Sequence, residues 1–187
     1  TEHSAGSDAA GQKTVAVKDG DHYILNGSKC FITNGPLSDY FVVYSLTDPE
    51  QGTKGMTAFV LEKGMPGFSI GKVENKMGLR SAAVSELHFE NVRVPVANQI
   101  APVGKGFALA MKTLDGGRIG VAAQAMGLAK GAYEIARKYL MERQQFGKPI
   151  AKQQYLAFKM AELATDIEAA ELLLYKAALC KDEGKPY

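Results

Sequence analysis

The sequence predicts an α+β protein in two parts, a β-barrel or sandwich followed by antiparallel long helices of a helical bundle. Two observations support this prediction. In the first half, short runs rich in valine, phenylalanine and tyrosine are separated by turn signals such as NG, DG and GMPG at roughly regular spacing. From Gly104 onward, apolar residues recur at three- and four-residue steps. We therefore expect a β domain over residues 1–101 and a helical domain over 102–187.

Five segments are expected to form the strands of the first part. They are TVAVKD, HYILNG, YFVVYSL, MTAFVLEK and SELHFENVRV. Aromatic and β-branched residues favour extended structure, whereas glycine, asparagine, aspartate and proline favour the turns between strands.

Two apolar stripes predict two long helices. The first stripe consists of Ile119, Ala122, Met126, Ala129, Tyr133, Ala136 and Leu140. The second consists of Leu156, Met160, Leu163, Ile167, Ala170, Leu174 and Ala177. The short FGKP segment between them indicates an antiparallel pair. Because two helices cover their apolar faces only in part, we expect further helices or a second subunit to complete the bundle.

Composition limits the classes of function. Lysine and arginine total 22 and acidic residues 20, a net charge of +2, so no strong field favours nucleic acid or an anionic membrane. The only cysteines, Cys30 and Cys180, are far apart, which fits a reducing compartment better than a disulfide framework. The chain has no bilayer-length apolar run, and its first residues are neither basic nor apolar. We expect a soluble protein of the bacterial cytoplasm or the mitochondrial matrix.

Common catalytic and metal-binding signatures are missing from the sequence. It contains no P-loop, strand-linked GxGxxG, HExxH or GxSxG motif. The three histidines, His3, His22 and His88, have no second ligand at a useful spacing, so we predict no metal site.

Two polar clusters in the first part could bind a ligand. TEHSAGSD offers hydroxyl groups beside small residues whose backbone amides can approach an anion or a ring edge, although a solvated loop would have the same composition. In KCFITNGP, strand alternation would send Phe31 and Thr33 to one face, ahead of a Gly35-Pro36 turn. A ring and a hydroxyl on one face suit a planar ligand, and a core aromatic beside a turn threonine is the alternative.

A third cluster lies at the two ends of the first predicted helix. Arg118 and Arg143 are 25 positions apart, or about 38 Å along a continuous helix at about 1.5 Å per residue. One small pocket cannot use both. Either one arginine is a surface residue, or the helix serves two sites, and its far end could reach a neighbouring subunit in a symmetric dimer.

These motifs together resemble one protein family. TEHSAGSD, LNGSKCFITNG, GFSIGKVENKMGLRSAAVSELHFENVRVP, GKGFALAMKTLDGGR and ERQQFGKPIAKQQ occur in an order similar to that of the acyl-CoA dehydrogenases, above all the short-chain, butyryl-type members. In that family a β-barrel middle domain and a helical C-terminal domain hold FAD, behind an N-terminal helical domain. The resemblance implies that this chain is the middle domain from its flavin loop onward plus the first helices of the C-terminal four-helix bundle.

The resemblance also implies contacts with FAD. The ring of Phe31 would pack on the flavin, with Ile32 beside it, and Thr33 would bond near flavin N5. The remaining cofactor positions are Thr1, Glu2, Ala5, Gly6 and Ser7 in the loop, and Arg143, Gln144, Gln145, Gln153 and Gln154 toward FAD of the other subunit. His3 stands where the family usually has proline, which relaxes the backbone and adds a titratable group.

Substrate contacts are implied at two places. Ser7 and Thr53 would touch the CoA part of an acyl-CoA. Residues at the start of the long helix would contact the substrate, with Arg118 as a polar anchor; these are Asp115, Gly116, Gly117 and Arg118.

The resemblance implies α,β-dehydrogenation of a short-chain acyl-CoA to the trans-2-enoyl-CoA, with electrons passing from FAD to an electron-transferring flavoprotein. A carboxylate would remove the α proton while the β hydrogen leaves as hydride. Some relatives carry that base at the position of Gly117, which has no side chain to act. We therefore expect no catalytic base in this chain and a glutamate beyond Tyr187.

Three further expectations complete the interpretation. The protein should be a homodimer or homotetramer with neither a nucleic-acid nor a membrane partner. An acyl-CoA oxidase-like flavoenzyme is one alternative to the dehydrogenase. A catalytically silent module that binds FAD and CoA, or that serves in assembly, is the other.

Overall fold

A computed structural model describes all 187 residues of the chain. They form two compact units, Thr1–Met111 and Lys112–Tyr187. The first unit is built on a β-sheet and the second on two long helices.

The first unit contains one six-stranded sheet. Its strands are β1 (Val15–Asp19), β2 (His22–Thr33), β3 (Tyr40–Leu46), β4 (Met56–Glu62), β5 (Phe68–Val73) and β6 (Val84–Pro95). They lie in the order β4-β3-β1-β2-β6-β5. Neighbouring strands are antiparallel except for β1 and β3, which meet in parallel at Val15 and Leu46. Short 3₁₀ turns occupy Ala9–Gly11, Pro49–Gly55 and Val96–Asn98.

The sheet curls toward a barrel without closing through a full strand ladder. The segment that follows β6 returns to β4, the opposite edge of the sheet, where Gln99 forms a single bridge with Phe59. The Ile100 N–H also donates to the Ala58 carbonyl over 3.0 Å. The predicted β-barrel fold is confirmed, as a barrel that remains open between β4 and β5.

Large apolar side chains from the sheet form the core of this unit. The fully buried rings of Phe59 and Phe89 anchor it, and the centroid of Phe59 lies 4.8 Å from that of Tyr23. Phe68 lies 5.3 Å from Phe89 and 4.9 Å from Phe41, the latter edge-on, which is a favoured aromatic geometry. Packing of these side chains therefore stabilises the sheet, and the loops at its edge are free to carry functional residues.

One predicted turn is wrong. The NG pair at Asn26 and Gly27 does not end a strand, because β2 continues to Thr33. Opposite Asn26, β6 carries one extra residue near Asn91. Across this bulge, Asn26 Nδ2 donates to Asn91 Oδ1 at 3.1 Å and the Asn91 backbone N–H donates to Asn26 Oδ1 at 2.8 Å. Gly27, at φ 145°, gives Thr14 room to pack, since a Cβ there would lie 2.6 Å from Thr14 Oγ1.

The second unit is an antiparallel helical hairpin, as predicted. Helix α1 (Gly106–Glu142) begins in the first unit and runs without a break for 37 residues, and α2 (Gln154–Asp182) follows with 29. Lys130 of α1 pairs with Glu171 of α2 at 2.7 Å. Neither helix combines the length and apolar content that crossing a membrane requires.

The turn between the helices is a small β-hairpin. Strands β7 (Gln144–Gln145) and β8 (Lys148–Pro149) pair across Phe146 and Gly147, which have φ values of 52° and 73°. Two successive positive φ values are the signature of the type I′ turn that matches strand twist. A 3₁₀ turn, Ile150–Lys152, then leads into α2.

The two helices bury only a narrow seam. On α1 the half-buried members of the predicted stripe recur at every seventh position: Ile119, Met126, Tyr133 and Leu140. A second apolar row on α1, Val121, Leu128 and Ile135, is 67%, 71% and 74% exposed. The helical pair thus presents a broad apolar face to its surroundings.

We expect the turn glycines of GMPG to differ sharply in their tolerance of a side chain. Gly64 and Gly67 both have positive φ, so alanine at either position should cost about 1 kcal/mol of folding free energy. At Gly67, however, a Cβ would also overlap the Glu90 carbonyl, whereas at Gly64 it would meet nothing within 4 Å. Gly67→Ala should therefore lose about 1–3 kcal/mol more than Gly64→Ala in denaturant unfolding; equal losses would contradict the close approach of this turn to β6.

Candidate functional site

The loop Thr1–Ser7 folds back on itself around two buried residues. Glu2 and Ala5 exchange both backbone hydrogen bonds, at 2.8 and 3.0 Å, and are 8% and 4% exposed. Thr1, Gly6 and Ser7, by contrast, lie at the surface. The predicted cofactor positions of the loop therefore divide into an inward pair and an outward set.

The Glu2 carboxylate is bound by four donors inside the β unit. Oε1 accepts hydrogen bonds from Lys29 Nζ at 2.8 Å, Thr14 Oγ1 at 2.6 Å and the Thr14 N–H at 3.0 Å. Oε2 accepts one from the Lys13 N–H at 2.6 Å. Lys29 is itself 7% exposed and donates a second bond to Gln12 Oε1. The hydrogen bonds of the Glu2 carboxylate are therefore all made within the protein.

The pKa values of this pair reflect burial and hydrogen bonding. Burial alone would raise the pKa of Glu2, but the bonds from Lys29, Thr14 and the Lys13 N–H outweigh it and lower that pKa to about 2. Burial lowers the pKa of Lys29, and its bond to Glu2 opposes this shift. Because four hydrogen-bond donors point at the Glu2 carboxylate, its ionised form is the one that the site stabilises.

A backbone contact brings the loop to the end of β2. The Cys30 N–H donates to the Thr1 carbonyl over 2.9 Å, and the next residue along β2 is Phe31. Two segments that the sequence separates by more than twenty residues therefore lie side by side. Sequence reasoning missed Gln12, Thr14 and Lys29, the residues behind this junction.

The end of β2 presents an aromatic ring to solvent from a bulge. Between the pairs Lys29–Leu87 and Ile32–Ser85, β2 has one residue more than β6, and Phe31 has φ 57°. Phe31 is 61% exposed, Thr33 is also exposed, and Ile32 packs against the core. Burial alternates from Phe31 to Thr33, as strand alternation predicts, but the alternation is broken just before them, because Lys29 and Cys30 are both buried and the bulge resets the pattern.

This surface has the features that a flavin requires. An exposed ring held at positive φ offers a packing face, and such backbone is unusual for a bulky residue. Exposed hydroxyls of Thr1, Ser7 and Thr33 offer donors and acceptors, and the N–H groups of Gly6 and Ser7 have no acceptor within the protein. The residues present therefore fit a planar ring with a polar edge.

Thr53 lies elsewhere in the same unit. It belongs to the 3₁₀ turn between β3 and β4 and is partly exposed. In the sheet, β1 separates β3 from β2, and no hydrogen bond connects Thr53 with the loop or with the end of β2. The structure thus does not join Thr53 to the cluster around Phe31.

The predicted substrate residues on α1 form an exposed polar patch. Arg118 Nη1 donates to Asp115 Oδ1 over 2.9 Å, one helical turn apart, and their side chains are 77% and 53% exposed. Gly117 faces open space, whereas a Cβ at Gly116 would lie 2.9 Å from Lys181 Nζ. The patch can offer a cation and a close backbone approach, and it places no carboxylate at Gly117.

The other predicted FAD contacts lie at the far end of α1. Arg143 follows the helix directly, with its N–H bonded to the Tyr139 carbonyl at 2.8 Å, and its carbonyl accepts from the Ile150 N–H. Gln144 and Gln145 form β7 and are exposed, and Gln153 and Gln154 lie at the start of α2. Since α1 is continuous, the separation of about 38 Å from Arg118 stands, and one compact pocket cannot include both ends.

No three histidine, cysteine, aspartate or glutamate side chains are grouped so that they could hold a metal ion. Both cysteines are free, Cys30 buried and Cys180 partly buried.

Acid should weaken the β unit through Glu2. Because the pKa of Glu2 is lowered from 4.5 to about 2, its contribution is complete above about pH 4.5 and is lost as the pH falls toward 2. A Glu2→Gln, Lys29→Met double variant, which leaves no unpaired charge, should show a smaller loss of stability between pH 4.5 and 2 in urea unfolding. Asp19→Asn, at an exposed ion pair with Arg93, is the control and should keep the steeper wild-type loss.

Comparison with known proteins matches both parts of the chain to one family. Residues 1–92 match the model of the acyl-CoA dehydrogenase middle domain, and residues 104–187 that of the acyl-CoA dehydrogenase C-terminal domain. A short-chain specific acyl-CoA dehydrogenase of Clostridium acetobutylicum is 57% identical over 187 residues, all of this chain and 49% of the relative. The caffeyl-CoA reductase-Etf complex subunit CarC of Acetobacterium woodii is 52% identical over 99% of this chain and 49% of its own.

A solved structure agrees with these matches. Butyryl-CoA dehydrogenase from Megasphaera elsdenii superposes with a TM-score of 0.94 at 53% identity, over 100% of this chain and 49% of that one. The chain spans about half the length of the relatives it matches. With both family models matched in order, and with the barrel, the long helices and the flavin-compatible surface in place, the chain belongs to the acyl-CoA dehydrogenase family.

Proposed function

We propose that the protein is a flavin-dependent dehydrogenase that converts a short-chain acyl-CoA into the trans-2-enoyl-CoA. The observation that carries this proposal is the exposed ring of Phe31, held in a bulge beside the hydroxyls and free amides of Thr1–Ser7. Relatives named as short-chain specific acyl-CoA dehydrogenase and butyryl-CoA dehydrogenase, at 57% and 53% identity, support the substrate class.

Residues of the β unit would hold the cofactor, FAD. When bound, it supplies the acceptor for the hydride that leaves the β carbon of the substrate. Phe31 offers its ring as a packing surface, Thr33 a hydroxyl next to it, and Ile32 keeps the bulge fixed to the core. Thr1, Gly6 and Ser7 offer polar groups at the surface, while the buried Glu2 and Ala5, whose N–H groups are bonded to each other's carbonyls, would keep the shape of the loop.

The remaining assigned residues would bind the substrate and a second cofactor. Ser7 and Thr53 would contact CoA. Arg118 could turn to the substrate at little cost, because its exposed pair with Asp115 is worth less than about 1 kcal/mol. Since Gly117 offers no carboxylate, we place the base that removes the α proton outside these 187 residues. The far end of α1, with Arg143 to Gln145, would contact FAD of another subunit in a homodimer or homotetramer.

We propose an electron-transferring flavoprotein as the electron acceptor. The Acetobacterium woodii relative is named as a subunit of an Etf complex. The same relative is named a reductase, and this favours a second candidate function, reduction of an enoyl-CoA at the same site. A site that stabilises the transition state between thioester and enoyl thioester serves both directions, so the potentials of the partners decide the net reaction.

Anaerobic titration of the full-length, FAD-loaded protein with butyryl-CoA tests this proposal. We expect loss of the oxidised flavin absorbance, formation of trans-2-butenoyl-CoA, and recovery of the absorbance when an electron-transferring flavoprotein is added. Recovery in air with hydrogen peroxide formation would instead identify an oxidase. Binding of FAD and CoA without any bleaching would identify a silent module and contradict the dehydrogenase.

Truncation of Phe31 should affect the cofactor far more than the fold. The side chain is 61% exposed and alanine has the same backbone preference at φ 57°, so Phe31→Ala should change the unfolding free energy by less than about 0.5 kcal/mol. Loss of ring packing of about 1–2 kcal/mol should raise the Kd for FAD roughly tenfold in a fluorescence titration. Tyr40→Ala, which removes a 69% exposed ring from β3, is the matched control. An unchanged Kd in Phe31→Ala would contradict the role of the ring.

A further inference from the structure

A buried ion pair lies directly behind the bulge that displays Phe31. Lys29 immediately precedes the two-residue bulge of Cys30 and Phe31 in β2, and its partner Glu2 lies in the loop Thr1–Ser7. The Nζ to Oε1 distance is 2.8 Å, and both side chains are 7% exposed. The activity proposed above assigns no role to Lys29.

Net stability does not explain this pair. Removing two charges from water costs several kcal/mol for each ion, and the attraction between them only repays that cost when geometry and further hydrogen bonds are favourable. Well-packed apolar residues of similar volume usually stabilise a protein as well or better. A buried ion pair differs from an apolar pair in that its hydrogen bonds are directional. Each bond fixes the position of one atom relative to another.

The bonds of this pair fix three segments against one another. Lys29 Nζ joins β2 to the loop through Glu2 and to the segment before β1 through Gln12, with its bond to Gln12 Oε1 at 2.5 Å. Thr14 bonds the same carboxylate through both its hydroxyl and its N–H. Rotation of the loop about β2 would break several of these bonds at once.

The same contacts restrain the backbone of Phe31. On one side, Lys29 is fixed by Glu2, and the Cys30 N–H is bonded to the Thr1 carbonyl at 2.9 Å. On the other side, Ile32 packs on the core. A bulky residue keeps an unfavourable positive φ only where contacts of the surrounding residues fix its backbone. Here such contacts fix the backbone on both sides of Phe31.

We propose that Lys29, through its ion pair with Glu2, is a positioning residue that presets the loop Thr1–Ser7 and the Phe31 bulge for the flavin. This inference rests on the proposed FAD site. It predicts that the ion pair contributes to flavin affinity by ordering the site before binding, because binding then costs less conformational entropy.

A double variant separates positioning from stability. Lys29→Met alone would leave a buried, unpaired carboxylate and could unfold the protein, so the informative variant of the full-length protein is Glu2→Gln, Lys29→Met. We expect it to unfold at a denaturant midpoint close to that of wild type. Its Kd for FAD should rise about tenfold or more, and the visible circular dichroism of the bound flavin should change. In the apo protein, amide hydrogen exchange of residues 1–7 and Cys30 should become faster.

An exposed pair in the same unit provides the matched control. Asp19→Asn, Arg93→Met removes an ion pair whose side chains are 62% and 58% exposed, and it should leave Kd, circular dichroism and exchange unchanged. Wild-type Kd and exchange in the buried-pair variant would overturn the inference. Wild-type protein that fails to bind FAD would instead overturn the proposed function, so the two failures are distinguishable.

Discussion

The carboxylate of Glu2 connects the parts of the β unit that matter for its candidate site. It accepts bonds from Lys29 in β2 and from Lys13 and Thr14 just before β1, and it holds the turn that carries Thr1 and Ser7. The same hydrogen bonds position Phe31, because the two residues that precede it, Lys29 and Cys30, are bonded to the loop. The aromatic core lies beneath and keeps the strands themselves in place. The polar network therefore sets local geometry on a scaffold that apolar burial stabilises.

A different constraint governs the helical unit. An unbroken α1 of 37 residues extends for about 55 Å, so groups at its two ends cannot meet in one pocket. The β-hairpin at Phe146 and Gly147 reverses the chain in two residues and keeps Arg143, Gln144 and Gln145 at the surface. The pairing of the two helices also leaves the apolar row Val121, Leu128 and Ile135 of α1 exposed.

Sequence patterns predicted the elements whose signals are local. The helices followed from apolar periodicity, and FGKP and GMPG followed from the backbone preferences of glycine and proline. The NG pair at Asn26 and Gly27 misled, because glycine is needed there for close packing against Thr14 opposite a bulge in β6, and both features depend on the neighbouring strands. Phe31 and Thr33 are both exposed, but the bulge that holds Phe31 has no signal in the strand pattern of the sequence.

The sequence by itself determined that a run of strands precedes two long helices and, through its ordered motifs, the family to which the chain belongs, whereas β5 and the start of α1 at Gly106, twelve residues before Arg118, were not predicted. Those properties depend on neighbours within a few residues or on motif order along the chain. Tertiary structure alone decided that Glu2 faces inward, that Lys29 is its partner, and that Thr1 lies against Cys30. Nothing in the spacing of Glu2 and Lys29 marks them as a pair, because their contact arises from how β1, β2 and the loop pack, and burial makes it strong.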